Sequence, residues 1–226
     1  MLDYGQNALL DTRRILNEHG FFSVGSGNSA DEAREAVIIE KRGMKIAFLT
    51  YVDVPGFGPI RATDRPVPAF MDTLALKEKI SGARAVADII IVSPHWGIEY
   101  TDRPSERQVA YAHLAIDSGA DIVIGHHPHV LQSIEKYRGK FIIYSLGNFV
   151  FDQHHQPERE SALFTCVMRD GKITSPCIVP VVLPERTFRP VFPGCDDAKR
   201  LLERVKKISD GFGVTFRDGD SVLFLE

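Results

Sequence analysis

Ile89-Ile90-Ile91-Val92-Ser93-Pro94-His95-Trp96-Gly97 and Ile122-Val123-Ile124-Gly125-His126-His127-Pro128-His129 are the two stretches on which the reading of this chain turns. Each opens as a short, wholly apolar run rich in β-branched residues, the pattern of a strand buried on both faces, and each then breaks into a histidine-bearing loop. A helical pattern precedes both. Leu76, Ile80 and Ala83 recur at helical spacing before the first, and a helix from about Ser105 carries Val109, Ala112 and Ile116 at i, i+3 and i+7 before the second. Helix and strand in alternation predict parallel strands in an α/β sheet. In such sheets ligands sit in the crevice outside the carboxyl ends of the strands, so two adjacent strands deliver their histidines to one place.

Upstream, Leu9, Thr12 and Leu16 form the stripe of a helix over residues 5–19, stopped by Gly20 and followed by a predicted strand at 21–24. A helical turn at Asp31 and a hairpin (37–40 with 45–52, Gly43 in its turn) come next. Residues 55–68, rich in Pro and Gly, read as a loop long enough to lie beside a site. Beyond Val130 the pattern changes to antiparallel pairs, 131–137 with 140–145 around Arg138-Gly139 and 163–168 with 173–182 around Asp170-Gly171. A helix over 196–208 and a hairpin at Asp218-Gly219 close the chain. No repeat or low-complexity segment interrupts it, and the whole reads as one α+β sandwich.

Composition sets the outer bounds. A chain of 226 residues, 44% hydrophobic and 25% charged, can bury a sizeable core. Its formal charge of -3 and pI near 6.2 supply no basic field for nucleic acid or an anionic membrane surface. Cys166, Cys177 and Cys195 are odd in number and lack CxxC spacing, so neither a disulfide framework nor a thiolate zinc knuckle is indicated. Asp3, Asp11, Arg13, Arg14 and Glu18 exclude the apolar core of a signal peptide from the first twenty residues, and no later run approaches a membrane span. The chain as written is expected to be cytoplasmic.

Neutral imidazole ligates zinc and also suits iron and manganese alongside carboxylates, so metal binding is the sharp reading of the cluster. Loop histidines that merely cap strand ends are the alternative, and spacing alone leaves both open. His19 and His113, isolated on predicted helices, read as structural; His154 and His155 lie in a polar, solvated loop. Two further side chains are candidates for catalytic support. Glu99 follows His95 closely enough to serve behind a ligand, with Tyr100 as a substrate contact, although a solvated Glu is the plainer reading. Asn148, after the close-approach residue Gly147, can direct a polar group into the crevice or belong to a plain turn. No GxSxG elbow, Walker A loop or GxGxxG after a strand accompanies them.

Ser93-Pro94-His95-Trp96-Gly97-Ile98-Glu99-Tyr100, the run from Gly119 through His126-His127-Pro128-His129 to Val130, and Tyr144-Ser145-Leu146-Gly147-Asn148-Phe149-Val150-Phe151 resemble, in order, the signature segments of CapA-type capsule-synthesis (poly-γ-glutamate) proteins. The resemblance is close to about Asp152 and looser beyond. That family is similar to calcineurin-like metallophosphatases, which implies a four-layer α/β/β/α sandwich with mixed sheets and a pair of metal ions at strand ends. It further implies that His95 is the lone ligand histidine and that His127 and His129 are a His-x-His pair, with His126 outside the ligand set. The cofactor would be divalent zinc, manganese or iron. The chemistry would be hydrolase-like, on a phosphoester or γ-glutamyl substrate or an anionic polymer.

The opening Met1-Leu2-Asp3-Tyr4-Gly5 resembles the residues that follow the family's Asn-Asn-His loop. The expectation is therefore one domain, 1–226, without the family's first strand and ligand loops, and a metal site weakened by the loss of their carboxylate, amide and imidazole ligands. An unpaired sheet edge would then be open to association, or a second chain would supply the first half; a longer form would be membrane-associated. Two functions follow: a capsule or poly-γ-glutamate synthesis protein with a metal-dependent site, or a non-catalytic remnant or accessory domain that binds anionic polymer or a partner protein.

Overall fold

The computed structural model describes residues 4–54, 66–187 and 189–226. Helix α1 (Gly5–Glu18) is closed by Gly20 in a left-handed conformation (φ 77°) and by the Phe21 amide on the Leu16 carbonyl at 2.9 Å. Strand β1 (Ser26–Gly27) leads into the single-turn α2 (Ala30–Ala33), N-capped by the Ser29 side chain. A hairpin of β2 (Val37–Lys41) and β3 (Met44–Leu49) follows, then the two-residue strands β4 (Val52–Asp53) and β5 (Val67–Pro68). The centre of the chain alternates: α3 (Thr73–Arg84), β6 (Ile89–Val92), β7 (His95–Trp96), α4 (Glu106–Asp117) and β8 (Ile122–Ile124). It ends with β9 (Ile134–Tyr137), β10 (Lys140–Ile143), a 3₁₀ turn (Gln156–Arg159), β11 (Glu160–Arg169), β12 (Lys172–Val182), α5 (Cys195–Ile208), β13 (Phe216–Asp218) and β14 (Leu223–Leu225).

The fold is a mixed α/β arrangement of several sheets. The larger has six strands in the order β2-β3-β6-β8-β10-β9, parallel from β3 to β10 with an antiparallel strand at each edge. A second sheet, β11-β12-β14-β13, is antiparallel throughout. Three hairpins turn on the same backbone chemistry: Arg42-Gly43, Arg138-Gly139 and Asp170-Gly171 each place two successive residues at positive φ, as the twist of paired strands requires.

Alternate residues of the central strands feed two cores. Ile90 and Val92 of β6 and Val123 of β8 pack with Leu76 and Ile80 of α3 and Ala112 and Ile116 of α4. Ile89, Ile91 and Ile122 point the other way, into a cluster shared with Ile178 of β12, Leu223 of β14 and Leu201 and Val205 of α5. Such a two-sided strand is what a continuous apolar run encodes. Among the described residues no helix is long and apolar enough to cross a membrane.

Three expectations need correction. Residues 21–24 form no strand: the chain leaves α1 with Phe21 and Phe22 facing solvent, 62% and 68% exposed, and pairing begins only at Ser26. The tail of the 55–68 loop is structured, since Gly27 and Ser26 pair with Val67 and Pro68; positions 55–65 lie outside the described residues. The region after Val130 is not purely antiparallel, because β10 returns beside β8 in parallel and only β9 runs against it in that sheet.

Two contacts set where the strand-end loops lie. The Trp96 ring, fully buried, stacks on Tyr144 and donates its indole N–H to the Tyr144 carbonyl at 3.0 Å. Gly125 fits against both, and a Cβ there would collide with the Tyr144 carbonyl and the indole. At the opposite end of the sheet Asp121 accepts from the Ile90 amide at 2.9 Å and from Lys140 at 2.6 Å, and also pairs with Arg84. Burial alone would raise this carboxyl; the Lys140, Ile90 and Arg84 donors overcome it and hold it below its ordinary 3.8.

Gly125→Ala is expected to lower stability by about 1–3 kcal/mol through overpacking, read as a reduced thermal midpoint. Because the Asp121 pKa is depressed on folding, its contribution is complete well above pH 3.8 and fades as pH falls through that region. Asp121→Asn should therefore lose roughly 1–3 kcal/mol at neutral pH and show a flatter acid limb in a pH series of denaturant melts; an unchanged acid limb would refute this account.

Candidate metal centre

The centre forms where loops leaving β6 and β8 meet. The parallel pairing of these strands continues past their ends: the Trp96 amide donates to the His126 carbonyl at 3.0 Å, and the His126 amide donates to the Pro94 carbonyl at 2.9 Å. On its other side β7 pairs with β4, and Asp53 of β4 is clamped by a bidentate contact from Arg107 of α4 at 2.6 and 2.8 Å. These links hold His95 beside His127, ring centroids 4.8 Å apart.

Glu99, His127 and His129 offer ligand atoms that all lie within 4.8 Å of one another. His127 and His129 are half-buried, whereas Glu99 is exposed at the mouth. The sequence alone suggests imidazoles without a carboxylate partner; the folded chain brings Glu99 to the His-x-His pair and so adds a hard oxygen donor to the set. His126 turns away, its Nε2 3.0 Å from the Ser93 hydroxyl.

Protonation favours ligation. Burial, reinforced by the neighbouring His127, His126 and His129 imidazoles, pushes His95 down to about 4, so its ring is neutral at physiological pH. Burial also lowers His127. Asn148, itself buried, fixes His129: its amide nitrogen donates to the His129 and Glu158 carbonyls at 3.1 and 3.0 Å, so its oxygen accepts from His129 Nδ1 at 2.8 Å. With Nδ1 carrying the proton, the lone pair of His129 sits on Nε2. Asn148 thus acts through His129 as a positioning residue.

The backbone here is unusual. Tyr100, His127 and His129 all have positive φ, at 62°, 105° and 61°, and none is glycine. Such conformations persist only where surrounding contacts over-determine them. The Tyr100 amide donates to the Pro128 carbonyl at 2.8 Å, tying one strained segment to the other, and the Tyr100 ring stacks on His129 with centroids 6.1 Å apart. The Phe151 ring also lies against His129, tilted, with centroids 5.1 Å apart.

Gln108 and Gln132 escape a reading confined to histidines and acids. Gln108 completes a capping box with Ser105 and donates from its buried amide to Gln132 Oε1 at 2.9 Å; Gln132 in turn donates to the Thr101 carbonyl at 2.9 Å and the Arg103 carbonyl at 3.3 Å. Gly97, at φ 89°, lies so close that a Cβ would stand 2.6 Å from the Gln108 amide group. This relay braces the loop that carries Glu99 and Tyr100. The Ser105-x-x-Gln108 spacing was its visible signal, the signature of a capping box. His113 is engaged elsewhere, 2.8 Å from Glu135 and stacked on Tyr137, and His19 lies against the Ile15 carbonyl.

A family model described as bacterial capsule synthesis protein PGA_cap matches residues 1–153. The chain is 36% identical over 215 residues to the capsule biosynthesis protein CapA of Bacillus anthracis, covering 93% of this chain and 52% of that protein. It is 36% identical over 219 residues to the PGA biosynthesis protein CapA of Bacillus subtilis strain 168, covering 96% of this chain and 57% of that one. The chain thus spans about half the length of the curated relatives it matches. Among solved structures, the Thermus thermophilus sulfate thiohydrolase SoxB is similar at 16% identity and a TM-score of 0.47, over 86% of this chain and 34% of that one, a likeness too slight to argue from. His95, Glu99, His127, His129 and Asn148 all lie within the matched stretch, and the chain belongs to the bacterial capsule synthesis protein PGA_cap family.

Proposed function

We propose that this chain serves capsule or poly-γ-glutamate synthesis through a divalent-metal, hydrolase-like site held by Glu99, His127 and His129, with His95 as the adjoining ligand. The observation that carries the reading is the convergence of one carboxylate and two imidazoles within 4.8 Å at the carboxyl ends of parallel strands. The donor set fits zinc, manganese or iron: neutral nitrogen from His95, His127 and His129 and oxygen from Glu99. A divalent ion bound there supplies Lewis-acid polarisation of a phosphoryl or carbonyl oxygen.

The chain's own residues do the rest. Asn148 keeps the proton of His129 on Nδ1 and its lone pair on Nε2. Tyr100, exposed beside His129, is placed to meet substrate, and Glu99 at the mouth is accessible both to an ion and to water. The substrate class that suits capsule synthesis is a phosphoester or a γ-glutamyl amide. The names of the relatives support the polymer, and the wider architecture proposed with it is the α/β/β/α sandwich of metallophosphatase-like proteins.

The test is metal per chain of the purified protein by elemental mass spectrometry, followed by assays on a phosphodiester and a γ-glutamyl anilide. Near-stoichiometric zinc, manganese or iron is expected, lost in His127→Ala and reduced in His95→Ala. A metal-free wild-type protein after supplementation would overturn the metal reading and leave a non-catalytic accessory role. Asn148→Leu should weaken metal affinity by about 10–100-fold while the protein still folds, as loss of a ligand-orienting partner does; unchanged affinity would mean that His129 needs no such support.

A further inference from the structure

A cavity of about 180 Å³ lies between the 3₁₀ turn that ends at Arg159, the close of β12 and the first turns of α5. None of His95, Glu99, His127 and His129 lines it, so it is separate from the candidate centre. We propose that it binds a phosphate group, free or carried on a small ester, with Arg159 as the principal contact. This site does not depend on the function proposed above.

Arg159 carries the argument. Its Nε is buried yet has no hydrogen-bond partner among the described residues, and its guanidinium enters no ion pair with any of them. A buried guanidinium without an acceptor is costly, and an acceptor from outside the chain removes that cost. The other charges lining the cavity cancel. Arg200 donates to Glu160 Oε1 at 2.5 Å and to Asp197 Oδ1 at 3.4 Å, and Arg204 donates to Glu160 Oε2 at 2.6 Å. Two guanidinium groups thus answer two carboxylates, and Arg159 adds a positive charge that nothing in the lining offsets; Glu158, the neighbouring carboxylate, is not part of that lining.

Size and donors narrow the ligand. The volume falls below the roughly 300–1,000 Å³ of a drug-sized site, and at about 30 Å³ per water it suits one oxyanion with a few waters. Gln156 and Arg159 approach from the turn and Arg200 from α5. Donors on two elements can surround a tetrahedral oxyanion, whereas the fork of a single guanidinium already satisfies a planar carboxylate. Val182, Leu183 and Pro184 supply an apolar wall, against which contacts to an anion are stronger than in water. The Leu183 amide donates to the Arg159 carbonyl at 2.9 Å and so ties the turn to that wall.

The probes are inorganic phosphate and glycerol 1-phosphate, titrated calorimetrically into the chelator-treated chain at constant ionic strength in chloride, so that no metal ion competes for them. One saturable site is expected, weakened about tenfold or more in Arg159→Gln, the scale of one charge-assisted hydrogen bond, and by a smaller factor in Arg159→Lys, which keeps the charge and loses the fork. Whichever probe binds more tightly identifies the source of the phosphate. Arg159→Met removes an unpaired buried charge, so in phosphate-free buffer its thermal midpoint should equal or exceed that of the wild type, and added phosphate should not raise it further. Equal affinity in wild type and Arg159→Gln would overturn the proposal, as would binding no stronger than that of chloride. A lowered midpoint of Arg159→Met in phosphate-free buffer would also overturn it, because the guanidinium would then have its partner within the fold.

Discussion

Two backbone hydrogen bonds between loops, Trp96 to His126 and His126 to Pro94, carry the candidate centre. They extend the register of β6 and β8 beyond the point where the strands end, so residues that sequence places about thirty positions apart sit side by side with the precision of a sheet. Their geometry depends on the Trp96 ring filling the space against Tyr144 and on Gly125 leaving that space open. A side chain at Gly125 would act on the histidines although it touches none of them. The positioning therefore belongs to the hydrophobic core as much as to the polar groups it presents.

What is built on that base runs against local preference. Three non-glycine residues at positive φ cost of order 1–3 kcal/mol each, and a half-buried neutral His95 gives up part of its hydration. The supports are correspondingly dense: the Tyr100 to Pro128 bond, the Gln108–Gln132 relay, and the Asn148 amide with every donor and its acceptor engaged. Local conflict held in place by over-determined surroundings is the arrangement expected of a site shaped for binding rather than for stability.

The central alternation was legible because buried parallel strands and amphipathic helices write strong periodic patterns; α3, β6, α4 and β8 fall where Leu76, Ile90, Val109 and Val123 suggest. The hairpins were legible through their Arg-Gly and Asp-Gly turns. Residues 21–24 misled because Phe21 and Phe22 look like strand residues, and no local pattern reveals that they face solvent. At the centre, the histidines announced themselves by position after apolar runs. That Glu99 joins His127 and His129 is a matter of how a positive-φ Tyr100 redirects its loop, which residue types do not encode, and the role of Asn148 depends on Glu158, which lies ten positions further on.

The side chains described at the centre, with the bonds that orient them, fall between Val52 and Glu158, and the candidate ligands between His95 and His129. The second sheet and the 3₁₀ turn before it meet this region where Gly147 packs against the Glu160 carbonyl and Asn148 donates to the Glu158 carbonyl. Within this chain the candidate centre is thus nearly contiguous in sequence, while the sheet β11–β14 serves mainly to cover Ile89, Ile91 and Ile122 from the other side.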